Sequence, residues 1–146
     1  MMIKTKKVGM KTRGFNDIIN LTEYAREFVS ENSFLEGQLL IFIAGATAAI
    51  STIEYEPGLI QDLPEMLDRI APMNKQYHHD DTWHDGNGYA HLRSALMGPS
   101  LIIPVADGKL DLGTWQQIIL IDFDNRPRSR SVTFQFTGRK SPGQTR

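Results

Sequence analysis

An antiparallel α+β fold dominated by a β sandwich, with two or three helices, is what the sequence predicts, and three observations predict it. Asp107-Gly108 separates two apolar runs, the dipeptide that a tight hairpin turn favours. Val132, Phe134 and Phe136 alternate with Thr133 and Gln135, giving the last strand one apolar and one polar face. Residues 38–44, Gln-Leu-Leu-Ile-Phe-Ile-Ala, form an almost unbroken apolar run, as expected of a strand covered on both sides.

The elements follow in order. Residues 4–12 and 15–20 read as strands parted by Arg13-Gly14. A helix is expected over 21–32, with Asn20 as cap and Glu23 at the reciprocal capping position, because Leu21, Ala25, Phe28 and Val29 recur at helical spacing. Gly37 precedes the buried strand, and the small-residue run Gly45-Ala46-Thr47-Ala48-Ala49 leads into another over 50–54. Pro57 suits the first position of a helix whose stripe of Leu59, Leu63, Met66, Leu67 and Ile70 stops at Pro72. The polar, glycine-punctuated stretch 73–88 reads as a loop, and 89–98 as a short helix or a strand and helix pair. A meander through the 107–108 and 125–128 turns completes seven or eight strands. Residues 1–138 make one domain, and 139–146 has the composition of a flexible tail.

Composition narrows the function. At 146 residues the chain can bury one sizeable core. Without cysteine it has no disulfide framework, thiolate zinc site, iron-sulfur cluster or thiol nucleophile, so any metal must sit on nitrogen and oxygen. The longest apolar run is too short to cross a bilayer and the basic start has no apolar stretch behind it. A cytoplasmic protein with no membrane partner is expected. Basic side chains gather at the ends, five within 1–13 and six within 126–146, and neither segment holds an acid. Basic terminal strands lying against an acidic body account for this, and an anionic, phosphate-bearing ligand is a second reading. A nucleic-acid partner is not expected, because Phe134 and Phe136 alone interrupt the C-terminal cations.

Candidate chemistry concentrates in one stretch. All four histidines, His78, His79, His84 and His91, fall within fourteen residues. Neutral imidazole suits a transition metal and carboxylates can complete such a site, although a solvated histidine-rich loop is the plainer alternative. Adjacent side chains on an extended chain face opposite ways, so one of His78 and His79 is expected to stand aside. Asp85-Gly86-Asn87-Gly88 either closes a loop with two turn dipeptides or lets backbone amides approach an anion, with Arg93 following to add charge. The small residues around Thr47 would let a ligand near the backbone or merely turn a corner. Glu54 is a potential ligand or general base, or an exposed strand glutamate. Gly113-Thr114-Trp115-Gln116 suggests a bulge, with Trp115 as a core or subunit-interface anchor.

The order Thr47-Ala48-Ala49-Ile50, Glu54, Tyr77-x-His79, Asp85-Gly86-Asn87-Gly88 with His91, Gly98-Pro99-Ser100-Leu101 and Gly113-Thr114-Trp115-Gln116 resembles the YjbQ family, also called secondary thiamine-phosphate synthases. The family signature is met by Ser100, Ile103, Val105, Gly108, Gly113, Thr114, Trp115, Gln116 and Ile118, and the likeness spans residues 4–138. It implies a jelly-roll-like β sandwich assembled as a homotrimer, with a histidine site for a divalent metal, zinc or magnesium, or an anion. It also implies a weak condensation of hydroxymethylpyrimidine pyrophosphate with thiazole phosphate, giving thiamine phosphate and pyrophosphate. His79 and His91 match the family's recurrent histidines, as catalytic groups and metal ligands, and Glu54 matches its recurrent acid. Asp85 would support them, while Arg93, Asn87, Thr47 and Gln116 would hold the small phosphorylated substrate. Two departures stand out: many members carry a histidine just before the Thr-Ala-Ala run, where this chain has Gly45, and others carry one at the position of Tyr89. On an extended chain 89 and 91 share a face, so His84, Asp85 or Tyr89 itself would have to replace a third imidazole. A non-catalytic trimeric metal- or anion-binding protein and a metal-dependent phosphate-ester hydrolase are the other readings of the same residues.

Overall fold

The computed structural model describes residues 1–143. The chain runs through β1 (Met2–Thr12), β2 (Asp17–Asn20), α1 (Thr22–Glu31), β3 (Phe34–Ile43), β4 (Ala48–Ile53), α2 (Pro57–Ile70), α3 (His78–Trp83), α4 (Gly88–Met97), β5 (Ser100–Ala106), β6 (Lys109–Leu110), β7 (Gln117–Asp122) and β8 (Arg128–Lys140). The strands form two antiparallel sheets, one ordered β1-β8-β3-β5-β6 and the other β2-β7-β4. The antiparallel α+β expectation holds, with four helices among the described residues instead of two or three. The extra helix is α3, inside the stretch that reads as a loop; none of its six residues is buried, so it leaves no apolar period in the sequence.

Three layers result. Leu39, Ile41 and Ile43 of β3, Ile103 and Val105 of β5 and Val132, Phe134 and Phe136 of β8 face Ala48 and Ile50 of β4 and Ile118 and Leu120 of β7. Phe28 of α1 closes one end of this core, edge-on to Phe34, which in turn stacks on Phe136 at 3.8 Å. Alternate residues of the smaller sheet point the other way, and Ala49, Ile121 and Phe123 pack against Leu67 of α2 and Tyr89 and Ala90 of α4. The strand covered on both faces is therefore β7, not β3. The outer face of β3 and its neighbour β5 is open, with Phe42 and Ile102 exposed.

Several boundaries differ from expectation for local reasons. The second strand begins at Asp17, because Gly14, Phe15 and Asn16 take positive φ in a turn pinned by N–H donation from Phe15 to Asp124 O (2.7 Å) and from Asn16 to Asp122 O (2.8 Å). Helix α1 starts one residue late: the Asn20 side chain accepts from the Thr22 N–H at 3.0 Å, and Glu23 pairs with Arg26 instead of reaching back. Glu54 lies beyond the end of β4, in the connection where Glu56 caps α2 through the Gly58 and Leu59 N–H groups. Residues 113–116 form a turn closed by Gln116 N–H to Gly113 O (3.0 Å), and the β-bulge lies instead between Phe34 and Glu36. Strand β8 continues through Lys140, past 138, and the Ser141 N–H donates to Ser33 O; residues 144–146 of the expected tail lie outside the described residues. The two basic ends of the chain are the paired strands β1 and β8. No helix among the described residues is long and apolar enough to cross a membrane.

Candidate functional site

The site forms where α3 and α4 are drawn together. The Asp80 carboxylate accepts from the Tyr77 N–H and the Gly88 N–H, both at 3.1 Å, and so ties the starts of the two helices to each other. Gly88 is required there, since a Cβ would lie 2.6 Å from that of Tyr77. With the helices held this way, the rings of His79 and His91 stand 4.2 Å apart between centroids, tilted by 50°. His79 Nε2 lies 3.2 Å from Asn87 Oδ1 and 3.4 Å from Asp85 Oδ1. Burial, and next the nearness of His79, lower the pKa of His91 against the opposing pull of Asp85, Asp124 and Asp80. Protonation of His91 is therefore disfavoured in this position.

Behind the histidines lies a buried ionic network. Asp122 and Asp124, at the end of β7 and just beyond it, are both fully buried. Asp122 accepts from Thr12 Oγ1 (2.6 Å) and from Arg130 Nε (2.7 Å) and Nη2 (2.9 Å). Asp124 accepts from Asn87 Nδ2 (3.2 Å), Thr47 Oγ1 (3.1 Å) and Arg128 Nε (2.7 Å), and Thr47 Oγ1 accepts in turn from Arg130 Nη2 (2.7 Å). Burial alone would raise the Asp124 pKa, but hydrogen bonds from Arg128, Asn87 and the Asn125 N–H outweigh it and hold it at about 2. The basic C-terminal strand thus does meet an acidic body, through two specific buried pairs.

The structure gathers some of the expected residues and disperses others. His79, His91, Asp85, Asn87 and Thr47 belong to one connected group. Glu54 does not join them: it borders a separate hollow with Tyr55, Thr114 and Trp115, about 20 Å along β4 from Thr47 at strand rise. Gln116 is folded onto the Gly113 N–H and Thr52 Oγ1, at that same distant end. Arg93 turns inward, donating to Ala71 O, Asn16 Oδ1 and Asp68 Oδ1, and its side chain is 1% exposed. Residues 89–91 are helical, so Tyr89 and His91 lie about 200° apart around α4 and do not share a face. Tyr89 is buried in the second core with its hydroxyl unpaired among the described residues, and burial raises its pKa, so it supplies no tyrosinate to the pair. His78 and His84 are exposed, His84 at the left-handed end of α3.

Sequence reasoning missed Asp122, Asp124, Arg128 and Arg130. Two acids at i and i+2 on a strand of otherwise buried Ile and Leu are the signal, because one face of such a strand cannot hold two carboxylates unpaired. No cluster of three or more His, Asp or Glu side chains among the described residues is arranged to hold a metal ion. His79 Nε2 is committed to Asn87 and the third imidazole is missing, so the residues of one chain do not fit a resident metal centre.

The fold is that of a small two-sheet α+β protein, and its candidate site is an imidazole pair backed by buried Asp–Arg pairs. The sequence profile described as UPF0047 protein YjbQ-like matches residues 6–139, and the chain belongs to that YjbQ, or UPF0047, family. A UPF0047 protein of Archaeoglobus fulgidus is 37% identical over 123 residues, covering 84% of this chain and 93% of the relative. YugU of Bacillus subtilis is 32% identical over 138 residues, 94% of this chain and all of its own. Of solved structures, a hypothetical protein from Aeropyrum pernix K1 superposes with a TM-score of 0.87 at 30% identity, covering 93% of this chain and 99% of that one. A YbjQ-like protein of unknown function from Sulfolobus solfataricus P2 gives 0.84 at 27% identity, covering 94% of this chain and all of that one.

Proposed function

We propose that this protein is a cytoplasmic transferase of the secondary thiamine-phosphate synthase type, acting at the His79–His91 pair on small phosphorylated molecules. The observation that carries the reading is the approach of the two family-matching imidazoles to 4.2 Å at the end of a buried hydrogen-bonded network. In the reaction the thiazole nitrogen attacks the methylene carbon of hydroxymethylpyrimidine pyrophosphate. The C–N bond forms as the C–O bond breaks, and pyrophosphate leaves with the bonding electrons. Developing charge on that oxygen is what a catalyst must stabilise. A proton carried by one imidazole of the pair would hydrogen-bond the leaving oxygen. Arg128, in place of the inward-turned Arg93, supplies the guanidinium: its side chain is one-third exposed, and Asp124 engages only its Nε. A divalent metal enters this scheme with the substrate, magnesium suiting the pyrophosphate oxygens better than zinc.

Assembly completes the proposal. The exposed Phe42 and Ile102 on the outer face of the larger sheet support self-association into a jelly-roll-like homotrimer. Glu54 and Gln116 would serve a histidine site only across a subunit boundary. Purified protein given both thiamine precursors with magnesium is expected to form thiamine phosphate, and His79→Ala and His91→Ala are each expected to abolish it. Absence of turnover with every divalent metal tried would overturn the reading. Phosphate release without the thiazole would instead make the protein a hydrolase.

A further inference from the structure

The hydrogen-bond chain behind the histidines determines where protons can sit. Asp124 is ionised and fully buried, so its Oδ1 only accepts, and the Asn87 group facing it at 3.2 Å must be the amide Nδ2. That fixes the orientation of the amide and turns Oδ1, which cannot donate, toward His79 Nε2 at 3.2 Å. The other neighbour of that nitrogen, Asp85 Oδ1 at 3.4 Å, is also an acceptor. A nitrogen flanked by two acceptors keeps its hydrogen. From this geometry we infer that Asn87, oriented by Asp124, is a positioning residue that locks neutral His79 as its Nε2–H tautomer and makes Nδ1 the working nitrogen.

No hydrogen-bond donor among the described residues faces His79 Nε2, and the second acceptor, Asp85, is half exposed where Asn87 is buried. Asn87 is 5% exposed, Thr47 and Arg128 hold the remaining Asp124 oxygen, and His91 makes no hydrogen bond that would dictate the opposite tautomer. The nearer, buried acceptor is an amide where other histidine sites place a carboxylate, and the half-exposed Asp85 carboxylate stands farther off at 3.4 Å. Its importance for catalysis rests on the transferase reading above; the tautomer itself does not.

The test is nitrogen-15 NMR of histidine-labelled protein without substrate, at a pH where the ring is neutral. In the wild type, His79 Nε2 is expected to resonate as a protonated, pyrrole-type nitrogen and Nδ1 as an unprotonated one. In Asn87→Leu, which keeps the branching at Cγ and has no polar side-chain atoms, the two forms are expected to mix. A wild-type Nδ1–H form or an even mixture would overturn the inference, and so would an unchanged tautomer in Asn87→Leu. If that variant does not fold, the wild-type spectrum decides alone. Where the wild type turns over the thiamine precursors, Asn87→Leu is expected to lower kcat about a hundred-fold or more with KM little changed. Because the spectrum is read without substrate, failure of the transferase reading and failure of the tautomer lock give different results.

Discussion

Replacing Asp124 by Asn should remove a specific, titratable part of the stability of this protein. The wild-type carboxyl is held at about 2, against an ordinary value of 3.8, because Arg128, Asn87 and the Asn125 N–H outweigh its burial. A pKa lowered by folding stabilises the folded state above the unfolded value, and that contribution is lost as pH falls toward the folded one. The two values correspond to about 2 kcal/mol at neutral pH, of which about half is gone by pH 3. The side chain is 0% exposed, so salt and solvent screen the interaction little. Urea unfolding of wild type and Asp124→Asn at pH 7, 5, 4 and 3 measures it. The variant should be less stable at pH 7, and the gap should narrow by about 1 kcal/mol by pH 3. Asp17, whose pKa is lowered by Arg13 against the opposing effect of burial, is present in both proteins and cancels. A gap constant from pH 7 to pH 3 would refute the reasoning, since the Asp124 carboxyl would then titrate alike folded and unfolded.

Three further outcomes are expected. Gly138→Ala should cost about 3 kcal/mol or more in chemical denaturation, because the new Cβ would lie 2.1 Å from Glu36 O and 2.7 Å from Gly37 Cα. Gly9→Ala, where nothing lies within 4 Å of the added carbon, should stay within about 1 kcal/mol of wild type. Ile102→Lys, at a site 60% exposed, should turn the proposed trimer into monomer by light scattering while the circular dichroism spectrum is unchanged, and a wild type that scatters as a monomer would remove the proposed assembly. Arg93→Met should lose about 2–4 kcal/mol by stranding Ala71 O and Asn16 Oδ1, yet leave the proposed pyrophosphate binding intact in calorimetry, whereas Arg128→Gln should weaken that binding and also lower stability at pH 7 by taking the cation from buried Asp124.

What was legible in the sequence was what repeats. The Asp-Gly hairpin and the alternation of Val132, Phe134 and Phe136 place β5, β6 and β8 correctly, and Pro57 marks the start of α2. Helix α3 was hidden because it buries nothing and is held by one carboxylate, Asp80, spanning two helix starts. The site was misdirected by a separate step: with 89–91 read as extended chain, Tyr89 takes the face of His91; with α4 in place it lies in the core, and Arg93, one turn further on, follows it inward. The histidine pair itself was legible only through the family likeness, since His79 and His91 are twelve residues apart with no periodic relation. Asp122 and Asp124 were hidden for another reason: their partners, Arg128 and Arg130, become neighbours only once β8 turns back on β7.

The buried pairs account for two of the basic residues at the C-terminal end, Arg128 and Arg130. A strand end carrying Asp122 and Asp124 would pack at least as stably with apolar residues of similar size, because desolvating two carboxylates offsets most of what their partners return. Specific orientation is what apolar residues could not supply. Asp124 draws together three segments distant in sequence, through Thr47, Asn87 and Arg128, and Asp122 adds Thr12 and Arg130. With all these donors engaged, Arg130 Nη2 on both Thr47 Oγ1 and Asp122 Oδ1, the segments have one arrangement in which every buried charge is satisfied. His79 takes its orientation from that arrangement. Arg128 of β8, forty residues beyond the start of α4 in sequence, is two hydrogen bonds from Asn87 in the fold.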